Sequence, residues 1–143
     1  MFKVFITNRV IERISRDVNH PVERIGLLMG TLENQSLWIN DIIPGEAETS
    51  EVSCVFPPQR LAQVANDIVE GRIGGRIVGW YHSHPGQGLF LSQTDAETHM
   101  QFYQFSAYAV SLVVDPKSAE FGIWIYEHGV GVVQLPANYI HII

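Results

Sequence analysis

Two histidines one residue apart, His82 and His84, close an apolar run, and a carboxylate, Asp95, follows within a single loop. Residues i and i+2 of a strand point to the same side. The two imidazoles can therefore converge on one cation, each nitrogen about 2.0–2.1 Å from it. Pro85 interrupts the hydrogen-bonding ladder just after them and leaves the pair at a strand end, where a pocket can open. The loop Gly86–Leu91 is long enough to fold the next segment back, which brings Asp95 in as a third ligand. Two imidazoles and one carboxylate leave a fourth position open, the arrangement of catalytic rather than structural zinc. With Cys54 the only cysteine, an intrachain disulfide and a two-thiolate site are excluded, and a soft-metal or iron–sulfur site is disfavoured. Cys54 itself reads as a small buried hydrophobe.

Each of these pieces has an ordinary alternative. An H-x-H pair by itself is usually two unrelated histidines, and Ser92-Gln93-Thr94-Asp95 is also a good helix capping box. His99 lies four residues after Asp95 on the same helix face, and is an alternative ligand or a neighbour of the ligands. Hydrolysis also needs a base to carry the proton. Glu23 stands just before the apolar run Ile25–Gly30 and would reach the histidines if that run paired in parallel with Arg76–Tyr81. Spacing alone does not select it over Glu97.

The elements that must position these residues follow from periodicity. Val10, Ile11, Ile14 and Val18 predict a helix over 7–18, stopped by Pro21. Residues 25–30 and 36–43 read as strands joined by a hairpin loop from Gly30 to Gln35, and 51–56 as a third strand. Pro57-Pro58 opens a helix with Leu61, Val64, Ala65 and Ile68 on its apolar face and Gly71 at its end. Residues 76–81 form a central strand that feeds His82, and a helix runs from Ser92 to about Phe102. Three last strands fall at 107–114, 121–126 and 129–135. The alternation predicts an α/β or α+β domain, a mixed sheet flanked by helices. Residues 1–143 suit one domain with one core.

The charge balance is acidic, 9 Lys and Arg against 15 Asp and Glu, a net of -6. This argues against nucleic acid, whose binders carry a basic surplus, and favours a basic partner surface or peptide. The N-terminal segment lacks the core of a signal peptide, and no apolar run approaches the length of a membrane span. The expectation is a cytoplasmic protein without membrane contact.

Taken together, Glu23-Arg24-Ile25-Gly26-Leu27-Leu28-Met29-Gly30, His82-Ser83-His84-Pro85 and Ser92-Gln93-Thr94-Asp95 resemble the JAMM (MPN+) zinc metalloproteases at every motif position, across nearly the whole chain. The loop Gly86–Ser92 and the turn Val113–Pro116 are most similar to the deubiquitinase subgroup of the proteasome lid. The resemblance implies a cytidine-deaminase-like layout and one zinc per chain on His82, His84 and Asp95, which selects Asp95 over His99. It also implies Glu23 as general acid/base and Ser92 as a stabiliser of the oxyanion. The implied reaction cleaves the bond between a ubiquitin-like C-terminus and a lysine side chain, with ubiquitin or a ubiquitin-like protein and its conjugates as partners. The lid enzyme's C-terminal helices and the insertion that reads linkage have no counterpart here. A free-standing enzyme, alone or as a homodimer, is expected rather than a lid subunit, without strong linkage selectivity. The competing readings are a catalytically silent scaffold of the same fold and a zinc deaminase. The latter would need H-x-E and P-C-x-x-C. Residues 45–54 fall where the lid enzyme has a hairpin insert. Glu46, Glu48, Glu51 and Val52 are expected to bind the arginine-bearing substrate tail as an added strand.

Overall fold

The computed structural model describes residues 1–45, 56–104 and 106–143. Glu46, Glu48, Glu51, Val52 and Cys54 lie outside the described residues, as does all but the last residue of the strand expected at 51–56.

The chain opens with a strand the periodicity does not reveal, β1 (Lys3–Ile6). Thr7 then caps helix α1 (Asn8–Asp17), its hydroxyl accepting from the Val10 amide. Strands β2 (Ile25–Glu33) and β3 (Ser36–Pro44) form a hairpin. Its turn is only Asn34-Gln35, not the longer loop expected from Gly30. Both turn residues are left-handed, φ 51° and 62°, and such a two-residue turn matches the twist of the strands. Helix α2 (Pro58–Val69) begins on proline and gives way at Gly71, φ 77°. Strand β4 (Arg76–Ser83) leads into the His84 loop, and helix α3 (Gln93–Tyr103) follows with Ser92 as its cap. Strands β5 (Val110–Asp115), β6 (Glu120–Glu127) and β7 (Gly131–Gln134) come next. A 3-10 turn, Ala137–Tyr139, and a short strand, β8 (Ile140–Ile142), end the described chain.

Among the described residues, eight strands form one mixed sheet in the order β7-β6-β5-β4-β2-β3-β1-β8. β4 and β5 are parallel, as are β1 with β3 and β1 with β8, and the other neighbours are antiparallel. The sheet has a core on each face. α1 contributes Val10 and Ile14 to one core, joined by Val18 just after the helix and by Leu28, Tyr81 and Leu112 from the strands. On the opposite face, Val64 of α2 and Phe102 of α3 pack with Ile25, Leu27, Met29 and Trp80. Along β2 the side chains alternate between the two cores, as strand geometry requires. The expected α/β class, a mixed sheet flanked by helices, is what the chain forms.

The expected parallel pairing of β2 with β4 is wrong. The two run antiparallel, with Ile25 opposite His82 and Gly26 opposite Tyr81. The correction matters, because β4 delivers its histidines at its C-terminal end. In a parallel pair the start of β2 would lie beside the start of β4. The antiparallel pair puts it beside the histidines.

Gly26 sustains this register. A Cβ there would come within 2.3 Å of the Tyr81 ring, which is fully buried. We expect Gly26→Ala to lose on the order of 1–3 kcal/mol of stability through overpacking, measured by urea denaturation.

Candidate active site

His82 is the last but one residue of β4, and its ring stacks on Trp80, centroids 4.3 Å apart and planes within 8°. Trp80 is held in turn by Ser111 of β5, whose hydroxyl accepts from the indole Nε1 at 2.5 Å and meets His99 Nδ1 at 2.7 Å. His99 is therefore buried in the packing behind His82 and is not among the converging donors. Beyond β4, the His84 amide donates to Val114 O at 2.9 Å, which extends the pairing with β5 past the end of the strand.

Asp95 sits in the first turn of α3 and has two sets of partners. Its Oδ2 accepts from the Ser92 amide at 3.0 Å while the Ser92 hydroxyl accepts from the Asp95 amide at 3.1 Å, a complete capping box. The same Oδ2 lies 3.0 Å from His82 Nε2 and 3.3 Å from His84 Nε2. The capping and ligand readings of this carboxylate thus describe one geometry. Burial by itself would raise the Asp95 carboxyl, but hydrogen bonds from His82, His84 and the Ser92 amide hold it well below the usual carboxylate range.

The fit of a metal can be tested on these distances. Ligand atoms placed tetrahedrally about 2.0–2.1 Å from zinc lie roughly 3.3 Å from one another. The three ligand atoms of His82, His84 and Asp95 all fall within 4.8 Å of one another, and both histidines are buried. The donor set is two imidazoles and a carboxylate, which suits zinc. These residues fit the ion.

Glu23 reaches the same point from the start of β2. Its Oε1 is 3.9 Å from His84 Nε2, and its side chain is 39% exposed. Glu97 does not compete. It is exposed and lies two residues from Asp95, a spacing that does not share a helix face. Two residues on the rim were not assigned a role from sequence. Phe90 is 43% exposed and lays its ring against His84, centroids 4.3 Å apart. Asp115 holds the loop after Pro85 by accepting from the Gly86 amide at 2.9 Å and the Gly88 amide at 3.0 Å. Those bonds, that of Gly86 first, keep its carboxyl below the usual range. The Asp115-Pro116 pair signals a turn in sequence, but its grip on a loop 27 residues earlier does not show there.

Residues 2–107 match the family model described as JAB1/Mov34/MPN/PAD-1 ubiquitin protease. The chain belongs to this family. A Theionarchaea archaeon protein named NAD(+) hydrolase TcpA is 36% identical over 83% of this chain and 36% of its own length. The 26S proteasome non-ATPase regulatory subunit 14 of Dictyostelium discoideum is 32% identical over 67% of this chain and 32% of its own. COP9 signalosome complex subunit 5 of Caenorhabditis elegans is 34% identical over 66% of this chain and 27% of its own. The chain thus spans little more than a third of each of these relatives at most. The solution structure of a Desulfitobacterium hafniense protein shares the fold, with TM-score 0.69 at 19% identity over 98% of this chain and 92% of that one. Among the described residues of this JAB/MPN chain, no helix is long and apolar enough to cross a membrane.

Two outcomes follow from the geometry. His84→Ala should lose most bound zinc, measured by elemental analysis after dialysis against a weak chelator, while wild type retains about one ion per chain. The second concerns pH. Burial lowers the His99 pKa to about 4 from 6.5. Between those values the unfolded chain takes up a proton that the folded chain does not, so stability falls as pH drops through the window. Across the whole window this contributes on the order of 3 kcal/mol. His99→Phe should flatten the slope of unfolding free energy against pH between about 6.5 and 4 by close to one proton.

Proposed function

We propose that this JAB/MPN domain, spanning residues 1–143, is a zinc-dependent isopeptidase. Its substrate on this reading is the bond between the C-terminus of ubiquitin or a ubiquitin-like protein and a lysine side chain. The observation that carries the reading is the convergence of Glu23 with His82, His84 and Asp95 at one cluster, in a family whose relatives include subunits of the proteasome and the COP9 signalosome.

His82, His84 and Asp95 would hold the zinc. When bound, zinc supplies Lewis-acid polarisation of the scissile carbonyl and water activation near neutral pH. The remaining chemistry belongs to the chain. Glu23 Oε1 takes the proton of the attacking water and delivers it to the nitrogen of the leaving lysine, so one carboxylate serves as base and then as acid. Its partial exposure lets substrate approach from solvent. The Ser92 hydroxyl accepts from the Asp95 amide, so its own proton remains to be donated to the oxygen that gains charge in the transition state. Capping and catalysis use different halves of the same hydroxyl.

The acidic residues Glu46, Glu48 and Glu51, with Val52, are proposed to bind the substrate tail. Their support is charge, and the point at which the described chain leaves β3. The Gly45 amide donates to Ile25 O at 2.8 Å, two residues from Glu23. The alternative, a silent scaffold that only binds partner proteins, has no need for a full set of metal donors with a carboxylate beside them.

Glu23→Gln should retain zinc and lose at least about 100-fold in turnover of an isopeptide-linked ubiquitin-like conjugate, read by gel-based cleavage with metal content measured on the same sample. Near-normal turnover would remove Glu23 from the mechanism. A zinc-loaded wild type that cleaves no ubiquitin-like conjugate but hydrolyses NAD+ would overturn the reading altogether.

A further inference from the structure

Asp17 is the last residue of α1. A carboxylate is unfavourable there, because the C-terminal end of a helix carries partial negative charge. Its side chain is also only 8% exposed, and a buried carboxylate needs partners. Asp17 has one on each oxygen. Arg24 Nη2 donates to Oδ1 at 2.8 Å, and the Tyr81 hydroxyl donates to Oδ2 at 2.6 Å. These are not arbitrary neighbours. Arg24 directly follows Glu23, and Tyr81 directly precedes His82.

The backbone is tied at the same place. The Arg24 amide donates to the Ser83 hydroxyl at 2.9 Å, and the Ser83 amide donates to Arg24 O at 3.0 Å. Ser83 lies between the two histidines. The phenol of Tyr81 has room beside β2 because residue 26 is glycine. Glu23 itself stands just before the first residue of β2, directly next to Arg24 in the chain. The ties on Arg24 therefore act one residue from the Glu23 carboxylate.

We propose that Asp17 is a positioning residue for Glu23. By clamping Arg24 and Tyr81 together, its carboxylate fixes the entry to β2 against the end of β4, so that the Glu23 carboxylate faces His84. This rests on the isopeptidase reading for the task of Glu23, but the clamp can be tested without it. Among the described residues, the Asp17 carboxylate bonds Arg24 and Tyr81 and none of the candidate metal ligands, so its effect passes through the residues it holds.

The experiment uses the full zinc-loaded chain and compares Asp17→Ala, Glu23→Gln and the double variant in steady-state cleavage of an isopeptide-linked ubiquitin-like conjugate. Asp17→Ala should lower kcat by roughly 10- to 100-fold, the scale expected when a catalytic group is misplaced by about 1 Å. KM should stay within about twofold and zinc content should not change. In the Glu23→Gln background the same substitution should have little further effect, because the group being positioned is already disabled. Asp17→Asn, which keeps an oxygen for one of the two partners, should lose less than Asp17→Ala. A drop in Tm with unchanged kcat per folded molecule would overturn the proposal. So would equal slowing of the wild-type and Glu23→Gln backgrounds. If Asp17→Ala does not fold, Tyr81→Phe removes one hydroxyl from the clamp and should give a smaller fall of the same kind.

If Glu23→Gln proves fully active, the proton-carrier reading fails, and amide hydrogen exchange on zinc-free protein decides the clamp. The Arg24 and Ser83 amides should exchange at least about tenfold faster in Asp17→Ala than in wild type. Unchanged protection would remove the clamp.

Discussion

The site depends on one strand pairing. β2 and β4 run antiparallel with Ile25 opposite His82, and the Ser83 side chain and amide bond both sides of the Arg24 peptide. Residues 59 positions apart are thereby set side by side. A one-residue slip would turn every side chain of β4 to the other face. Trp80 would leave the core of α2 and α3, and the two imidazoles would point away from Asp95. The register is therefore a condition for the cluster as well as for the sheet.

What surrounds the pairing makes the cluster stiff. Trp80 stacks on His82 and is itself held through Ser111 by His99, so the ring plane of His82 is set from behind by packed aromatic and hydrogen-bonded groups. The His84 side is held by its amide on β5 and by Asp115, which gathers the Gly86 and Gly88 amides. A loop beside the cluster stays in place this way without a hydrophobic core of its own. Lys117 lies across Gly86, close enough that a Cβ there would meet its side chain at 3.0 Å, and Gly86 has φ 72°. The left-handed φ disfavours larger residues at position 86, whereas the flexible Lys117 side chain can give way.

Asp95 shows how a fold and a site can share one group. Its carboxylate satisfies the free amide of Ser92 at the start of α3 and also lies against both histidines. A cation placed there would gain a ligand already oriented by a helix terminus, which reduces the ordering required on binding. Ser92 is constrained in the same way. Its hydroxyl oxygen is committed to the Asp95 amide, which limits how the hydroxyl proton can point.

Much of this is legible in the order of residues. The i, i+2 spacing of His82 and His84 on a strand, Pro85 after them and the capping box at Ser92 are local patterns with local causes. The residues alone therefore bring His82, His84 and Asp95 together as a candidate set. The helices and the long strands are legible too, because their apolar periods run over enough residues. The short strands β1 and β8 were not, since three or four residues carry no usable period and these two strands pair with each other across the length of the chain. The direction of the β2–β4 pairing was misread, because an apolar run shows that a strand is buried but not which way its neighbour runs. The place of Glu23, the withdrawal of His99 behind Trp80 and the grip of Asp17 and Asp115 were decided only in the folded chain. Each depends on contacts between distant segments, and such contacts come from packing two cores on one sheet, for which no local residue pattern exists.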